Sequence, residues 1–290
     1  MTTIDSAPFA VIGATGQQGG AIVDALLDAG APVLAIVRDP DGAPARALLE
    51  RGVTVRVADQ EDRDGLARAL DGAAALAFMT TFAGADGTEG EARRGIAVAE
   101  AAARAAVPRV VYSSVGGAER ATGIPHFESK RRVEERLQEL LPAVLLRPTF
   151  FMENLAPQLI PGADGEIVLR LPMPGDVPVQ MIAVRDVGRA AARLLLDPHA
   201  IEEEAVEVAG DEPSLEEAAR RLQQATGRPV RFEALPLAVL DGDPDLQAMF
   251  AWFARGDAYR ADLAATRRLV PGVADLREWA AGRLVGGAAR

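Results

Sequence analysis

Phe9-Ala-Val-Ile-Gly13-Ala-Thr-Gly16-Gln-Gln-Gly19-Gly20 is the stretch that decides the fold. Four apolar residues read as a strand, and three glycines follow at regular spacing. Ile22, Val23, Leu26 and Leu27 then recur at helical intervals until Gly30 stops the helix. In a strand–loop–helix unit of this kind each glycine has its own task. Gly13 permits the tight turn, Gly16 lets backbone approach a pyrophosphate, and Gly19 allows the helix to pack closely on the strand. The helix N-terminus offers unpaired N–H groups and the positive end of a dipole to phosphate. The spacing therefore predicts a dinucleotide-binding loop in which Gly13, Thr15, Gly16, Gln17, Gln18 and Gly19 contact the cofactor.

The next strand, Val33–Val37, ends in Arg38-Asp39. An NAD-binding unit places an acid at this end to bond the ribose 2′-hydroxyl. Arg38 stands there instead, and a guanidinium can pair with a 2′-phosphate and stack on adenine. NADP(H) is the expected cofactor, and Asp39 keeps NAD(H) open. Asp59, after the third strand, fits either an adenine contact or an ordinary loop acid. Thr80, after the fourth strand, and Ser113, at the end of the fifth, are placed among the cofactor contacts.

Strands and helices alternate through the first two hundred residues, which predicts an α/β fold with a Rossmann-type, doubly wound parallel sheet. The pattern breaks at Phe150–Gln180, which is rich in Pro and Gly and has no clean period. Ser214-Leu-Glu-Glu217 then reads as a capping box opening a helix. The expected organisation is a Rossmann domain over 1–149 and 181–210. A smaller C-terminal α+β domain takes 150–180 and 211–290, for substrate or partner.

The 290 residues are 49% apolar, enough for a sizeable core. A formal charge of −11 argues against nucleic-acid or anionic-membrane partners. With no cysteines and two histidines, His126 and His199, neither thiol chemistry nor a metal site is expected. Met1–Pro8 lacks a basic stretch followed by an apolar run, and no apolar stretch is long enough to span a bilayer. A cytoplasmic protein is expected. The acidic pairs Glu134–Glu135 and Glu216–Glu217 read as solvated faces.

Several segments in combination resemble the NmrA-like branch of atypical short-chain dehydrogenases. They are the Gly13–Gly20 loop, Pro125-His126-Phe127-Glu128-Ser129-Lys130, Leu146-Arg-Pro-Thr-Phe-Phe-Met-Glu-Asn154, Ala183-Val-Arg-Asp-Val-Gly188, Tyr259-x-x-Asp262 and Glu278-Trp279. That resemblance covers nearly the whole chain. It implies an NADPH-dependent reductase of a small apolar, conjugated acceptor such as a quinone, enone or dye. It equally allows a non-catalytic NAD(P)-binding regulator that signals through a protein partner, and it leaves a homodimer open.

Related dehydrogenases use Tyr-x-x-x-Lys. Here Lys130 has the lysine's place, gripping the cofactor ribose, but His126 stands four residues earlier in place of tyrosine. Three roles for His126 stay open: proton donor, pocket wall, or helix-start residue. Phe82, His126, Phe150, Phe151 and Asn154 are the expected substrate-pocket residues, and Lys130 and His126 the expected catalytic ones. The aromatic and Met residues between Met249 and Tyr259 read as core.

Overall fold

A computed structural model describes residues 7–256 and 258–285 of the chain. Residues 1–6, most of the segment read above for a leader, lie outside them. The first strand β1 (Phe9–Ile12) runs into helix α1 (Gln17–Asp28), and the alternation continues as expected. It passes through β2 (Val33–Val37), α2 (Ala43–Glu50), β3 (Thr54–Val57), α3 (Arg63–Leu70), β4 (Ala75–Met79) and α4 (Gly87–Arg104). Then come β5 (Val110–Ser113), α5 (Pro125–Leu140) and β6 (Ala143–Pro148). After them lie β7 (Phe150–Phe151), β8 (Leu159–Pro161), β9 (Ile167–Leu171), β10 (Met181–Ile182), α6 (Val184–Leu196) and β11 (Ala205–Val208). The chain ends with α7 (Leu215–Thr226), β12 (Val230–Ala234), α8 (Pro244–Phe253), α9 (Leu263–Leu269) and α10 (Leu276–Ala280).

The main sheet has seven strands in the order β11-β6-β5-β4-β1-β2-β3. Every pairing from β3 through β6 is parallel. This is the Rossmann order, with the reversal between β1 and β4, and ligands bind outside the carboxyl ends of the strands at such a reversal. All five residues of β2 are buried, because helices cover both faces of a parallel sheet. β3, at the edge, is only partly covered. Helix α6 lies against α1 at a glycine: a Cβ on Gly188 would come within 2.4 Å of the Ala21 backbone.

The chain divides into two compact units. Among the described residues the first comprises 7–115, 128–147 and 187–206, and the second 116–127, 148–186, 207–256 and 258–285. The units differ from the expected division at 116–127, 148–149, 181–186 and 207–210, all expected in the Rossmann domain and all grouped with the second unit. For 116–127 the reason is glycine packing. A Cβ on Gly116 would meet the Tyr259 ring at 2.7 Å, and one on Gly117 the Trp252 ring at 2.9 Å, so this stretch is built into the second unit.

Within the second unit β9 pairs antiparallel with β8 and parallel with β12, and β7 pairs with β10. Thus the Pro- and Gly-rich span contains strands that its sequence pattern does not show. Half of the expected capping box forms at α7. The Ser214 hydroxyl accepts from the Glu217 N–H at 3.2 Å, while the Glu217 carboxylate turns to Arg221 at 2.7 Å. A complete box opens α10, between Asp275 and Glu278. The core of this unit is aromatic: Phe253 lies 6.0 Å from Phe150 and 5.7 Å from Trp252, and Trp252 lies 5.3 Å from Tyr259. No helix among the described residues is long and apolar enough to cross a membrane.

Candidate functional site

The glycine loop lies at the carboxyl end of β1, beside the end of β4. Gly13 has φ +85°, and a Cβ there would stand 2.5 Å from Met79 Sδ. A Cβ on Gly19 would sit 2.0 Å from the Gly13 carbonyl oxygen. The protein's own packing thus requires both glycines. Gly16 differs. Its backbone is ordinary extended chain (φ −95°, ψ 175°), and a Cβ would meet nothing closer than the Gly13 oxygen at 3.4 Å. No side chain caps α1, whose first turn carries no acidic residue. Thr15, Gly16 and Gln17 are exposed. The loop is therefore an open cradle with a bare helix N-terminus, and its chemistry suits an anionic group. Gln18 and Ser113 are linked across its floor: the Ser113 hydroxyl donates to Gln18 Oε1 at 2.8 Å.

Arg38 and Asp39 follow β2 and both are exposed, but only one is engaged. Asp39 Oδ1 accepts from the N–H groups of Asp41 and Gly42 at 3.0 and 3.2 Å, which ties it into the turn before α2. No carboxylate among the described residues pairs with Arg38. Asp59 Oδ1 accepts from the Glu61 N–H at 2.9 Å and so shapes its own turn.

Thr80 and Lys130 are brought together. Lys130 Nζ donates to Glu91 Oε1 at 2.5 Å, to Thr80 Oγ1 at 3.2 Å and to the Thr80 carbonyl at 3.3 Å. Glu91, on α4, is fully buried. Its Oε2 accepts from the Ser129 hydroxyl at 2.5 Å, and Thr80 Oγ1 donates at 2.9 Å to Oε1, the oxygen that also receives Lys130. Because the single Thr80 proton is committed to Glu91, the Tyr112 hydroxyl 2.9 Å away is the donor in that contact. Burial pushes the Tyr112 phenol well above its ordinary range, and the nearby Glu91 charge adds to this. Tyr112 is thus locked as a donor inside the sheet and is no substitute for the missing tyrosine.

His126, at the start of α5, is buried in the second unit. Asp245, on α8, takes both its backbone N–H at 2.8 Å and its ring Nδ1 at 2.5 Å. Burial raises the Asp245 pKa, but the hydrogen bond and charge of the His126 ring outweigh it and hold the carboxyl below 3.8. An ionised carboxylate only accepts, so Nδ1 carries the hydrogen in this contact. The ring also stands edge-on to Phe127 at 4.7 Å. Of the other expected pocket residues, Phe150 is buried in the aromatic core, Phe151 is half-buried, and Asn154 and Phe82 are exposed.

A family model described as the NmrA-like family matches residues 6–280. The chain belongs to the NmrA-like family. An NAD(P)H azoreductase of Xenophilus azovorans is 33% identical over 231 residues, covering 78% of this chain and 77% of that protein. The structure of a quinone oxidoreductase of Escherichia coli, described as NADPH-dependent and complexed with NADPH, superposes with a TM-score of 0.77. It is 27% identical and covers 95% of this chain and 99% of that one. The structure of NmrA, a negative transcriptional regulator, in complex with NAD, superposes with a TM-score of 0.80 at 20% identity, over 96% of this chain and 95% of that one. At that identity it shows the shared fold alone.

Two residues that hold the expected site side chains of this NmrA-like protein, Glu91 and Asp245, carry no local signal in the sequence. Both lie in charged stretches that resemble solvated surface. The sequence does hold one signal: Lys130 is the only lysine in the chain, and the other 30 of the 31 Lys and Arg residues are arginines. A lone ammonium among guanidinium groups marks a position where the two are not interchangeable. Glu134 also departs from its expected solvated face. It is buried and paired bidentately with Arg147 at 3.0 and 2.7 Å.

Proposed function

We propose that this protein is an NADP(H)-dependent oxidoreductase whose first unit holds the dinucleotide and which reduces a small, apolar, conjugated acceptor of the quinone, enone or azo-dye class. The observation that carries the reading is Gly16: the fold leaves its Cβ position open on the ligand side, while Gly13 and Gly19 are required by internal packing. Thr15, Gly16, Gln17 and the N–H groups opening α1 hold the pyrophosphate. Arg38, which no carboxylate among the described residues engages, takes the 2′-phosphate, and Asp39 is committed to its own turn. That contrast favours NADP(H) over NAD(H). Asp59 borders the adenine end, Thr80 and Ser113 border the nicotinamide end, and Lys130 holds the ribose. When bound, the reduced nicotinamide supplies a hydride. The His126–Asp245 pair belongs to the second unit, with Nδ1–H fixed on the carboxylate, and pocket wall and proton donor are the two roles open to its ring. A conjugated acceptor delocalises the charge it receives, so it makes a smaller demand on a dedicated tyrosine acid. The relatives named as azoreductase and quinone oxidoreductase agree with this acceptor class.

The test couples binding to turnover. NADPH is expected to bind more tightly than NADH in calorimetric titration and to be consumed with at least one member of a panel of quinones, azo dyes and enones. Gly16→Val keeps the fold, because the nearest protein atom to its Cβ is 3.4 Å away, and abolishes NADPH binding. Unchanged affinity in Gly16→Val sinks the loop assignment. Discrimination between NADPH and NADP⁺ without consumption on any acceptor identifies a cofactor-sensing regulator instead.

A further inference from the structure

The only lysine of the chain is held by a carboxylate that has no contact with solvent. Glu91 is fully buried, and it receives Lys130, Thr80 and Ser129 together. A carboxylate in a parallel α/β interior is costly unless its lone pairs are filled. Here they are filled by donors from two elements, Thr80 at the end of β4 and Ser129 and Lys130 of α5, while the Tyr112 hydroxyl of β5 donates in turn to Thr80.

The packing that allows this is visible one turn further along α4. A Cβ on Gly95 would come within 2.4 Å of Val133 Cγ2 and 2.9 Å of Thr80 Cγ2. Only glycine lets α4 approach α5 and the β4 end so closely, and that approach delivers Glu91 to Lys130. The compact ammonium fits between Thr80 and Glu91 where a planar guanidinium demands a wider fork. Arginine serves at every other basic position of the chain, so the ammonium is kept here for its geometry.

The three acceptors around Nζ are not equivalent. Glu91 lies at 2.5 Å, whereas the two Thr80 oxygens lie at 3.2 and 3.3 Å. The ammonium is therefore anchored on one side and loosely held on the other, and its side chain keeps 12% of its surface exposed. We infer that Glu91 is the positioning residue of the cofactor site: it anchors Lys130 from behind, so that the loosely held N–H groups are presented to the hydroxyls of a bound ribose. The inference rests on the reading that the first unit binds a dinucleotide.

The single lysine makes the test clean. In the protein, acetylation by an N-hydroxysuccinimidyl ester is followed by peptide mass spectrometry at Lys130, with the N-terminal amine as internal control. NADPH affinity is measured in parallel. In the wild type, saturating NADPH is expected to slow acetylation of Lys130 and leave the N-terminus alone. Glu91→Gln, checked for folding by circular dichroism, loses the charge-assisted anchor. It is expected to be acetylated roughly tenfold faster at Lys130 and to bind NADPH roughly tenfold more weakly, with Glu91→Asp recovering part of both. Wild-type Lys130 that NADPH fails to protect overturns the inference without any variant. Faster acetylation in Glu91→Gln with unchanged NADPH affinity also overturns it, since Glu91 is then only a structural tie. A wild type that binds no NADPH overturns the dinucleotide reading and the inference with it. A wild type that binds NADPH, with a folded Glu91→Gln binding it equally well, overturns the inference alone.

Discussion

One helix carries two bases, and each is held by a carboxylate from another helix. At the start of α5 His126 meets Asp245 of α8, and one turn later Lys130 meets Glu91 of α4, both at 2.5 Å. The pairs look alike by distance and differ in surroundings. Glu91 is fully buried and its partners are all side chains, so the pair has no other way to satisfy its charges. Asp245 keeps some exposure, and half of its grip is on a backbone N–H that any residue at 126 supplies. The Lys130–Glu91 pair is an obligatory unit. The His126–Asp245 pair is a clamp on a titratable ring. An ion-pair distance therefore says little about function until the remaining partners of each oxygen are counted.

The largest expected effect is on the obligatory pair. Lys130→Met leaves Glu91 buried with Ser129 and Thr80 but without its counter-charge. Breaking a buried pair costs about 3–5 kcal/mol, and the two retained hydroxyl bonds place this one near the lower end. The double variant Lys130→Met/Glu91→Leu removes the stranded charge and is expected to regain most of the loss. Urea denaturation of the two single variants and the double one measures this. A Lys130→Met variant as stable as the wild type would show that the ion pair is not obligatory, and the contrast with Asp245 disappears.

How much of this was legible from residues alone follows the range of the interactions. The loop at Gly13–Gly19, the alternation through Leu146 and the end of β2 at Arg38 are local patterns, and they were read correctly as a Rossmann unit. β8 and β9 were not, because Leu159–Pro161 and Ile167–Leu171 are strands only through pairing with each other and with Val230–Ala234, distant in sequence. Glu91 lies among Glu89, Arg93 and Arg94, and Asp245 lies among Asp241 and Asp243, so composition alone presents both as surface. What turns them inward is tertiary: Gly95 draws α4 close, and Asp243 rather than Asp245 caps α8, its side chain accepting from the Leu246 N–H at 3.0 Å. Lys130 and His126 were visible as an i, i+4 pair on one helix. That each faces its own carboxylate was not.

A smaller effect is expected from His126→Phe. The ring contact with Asp245 is lost, but the backbone N–H at 126 still donates to Asp245, and a phenyl ring can keep the edge-on packing against Phe127. A single hydrogen bond to a charged group accounts for about 1.5 kcal/mol of stability. A loss as large as that of Lys130→Met would make the two pairs equivalent and break the comparison. In turnover assays the same variant separates the roles of His126. If the ring shapes the pocket, KM shifts and the pH profile of kcat/KM keeps its form. If the ring delivers the proton, kcat falls by roughly 10²–10⁴ and a titration step vanishes.

The smallest effect is a pH dependence confined to the clamp. The Asp245 carboxyl is pushed up by burial and pulled down further by the His126 ring and backbone N–H, so in the folded protein it stays below its ordinary value of 3.8. A carboxyl with a lower pKa folded than unfolded binds protons more readily in the unfolded chain, and stability then rises with pH through that window. Its contribution is complete above the unfolded value and is lost as the pH falls through the folded one. Wild type and Asp245→Asn are therefore expected to differ in full at about pH 5 and to converge as acid is added below 3.8. Urea midpoints at a series of pH values give both curves. Curves that stay parallel to about pH 2 would show that Asp245 holds His126 by shape alone, with no part played by its charge.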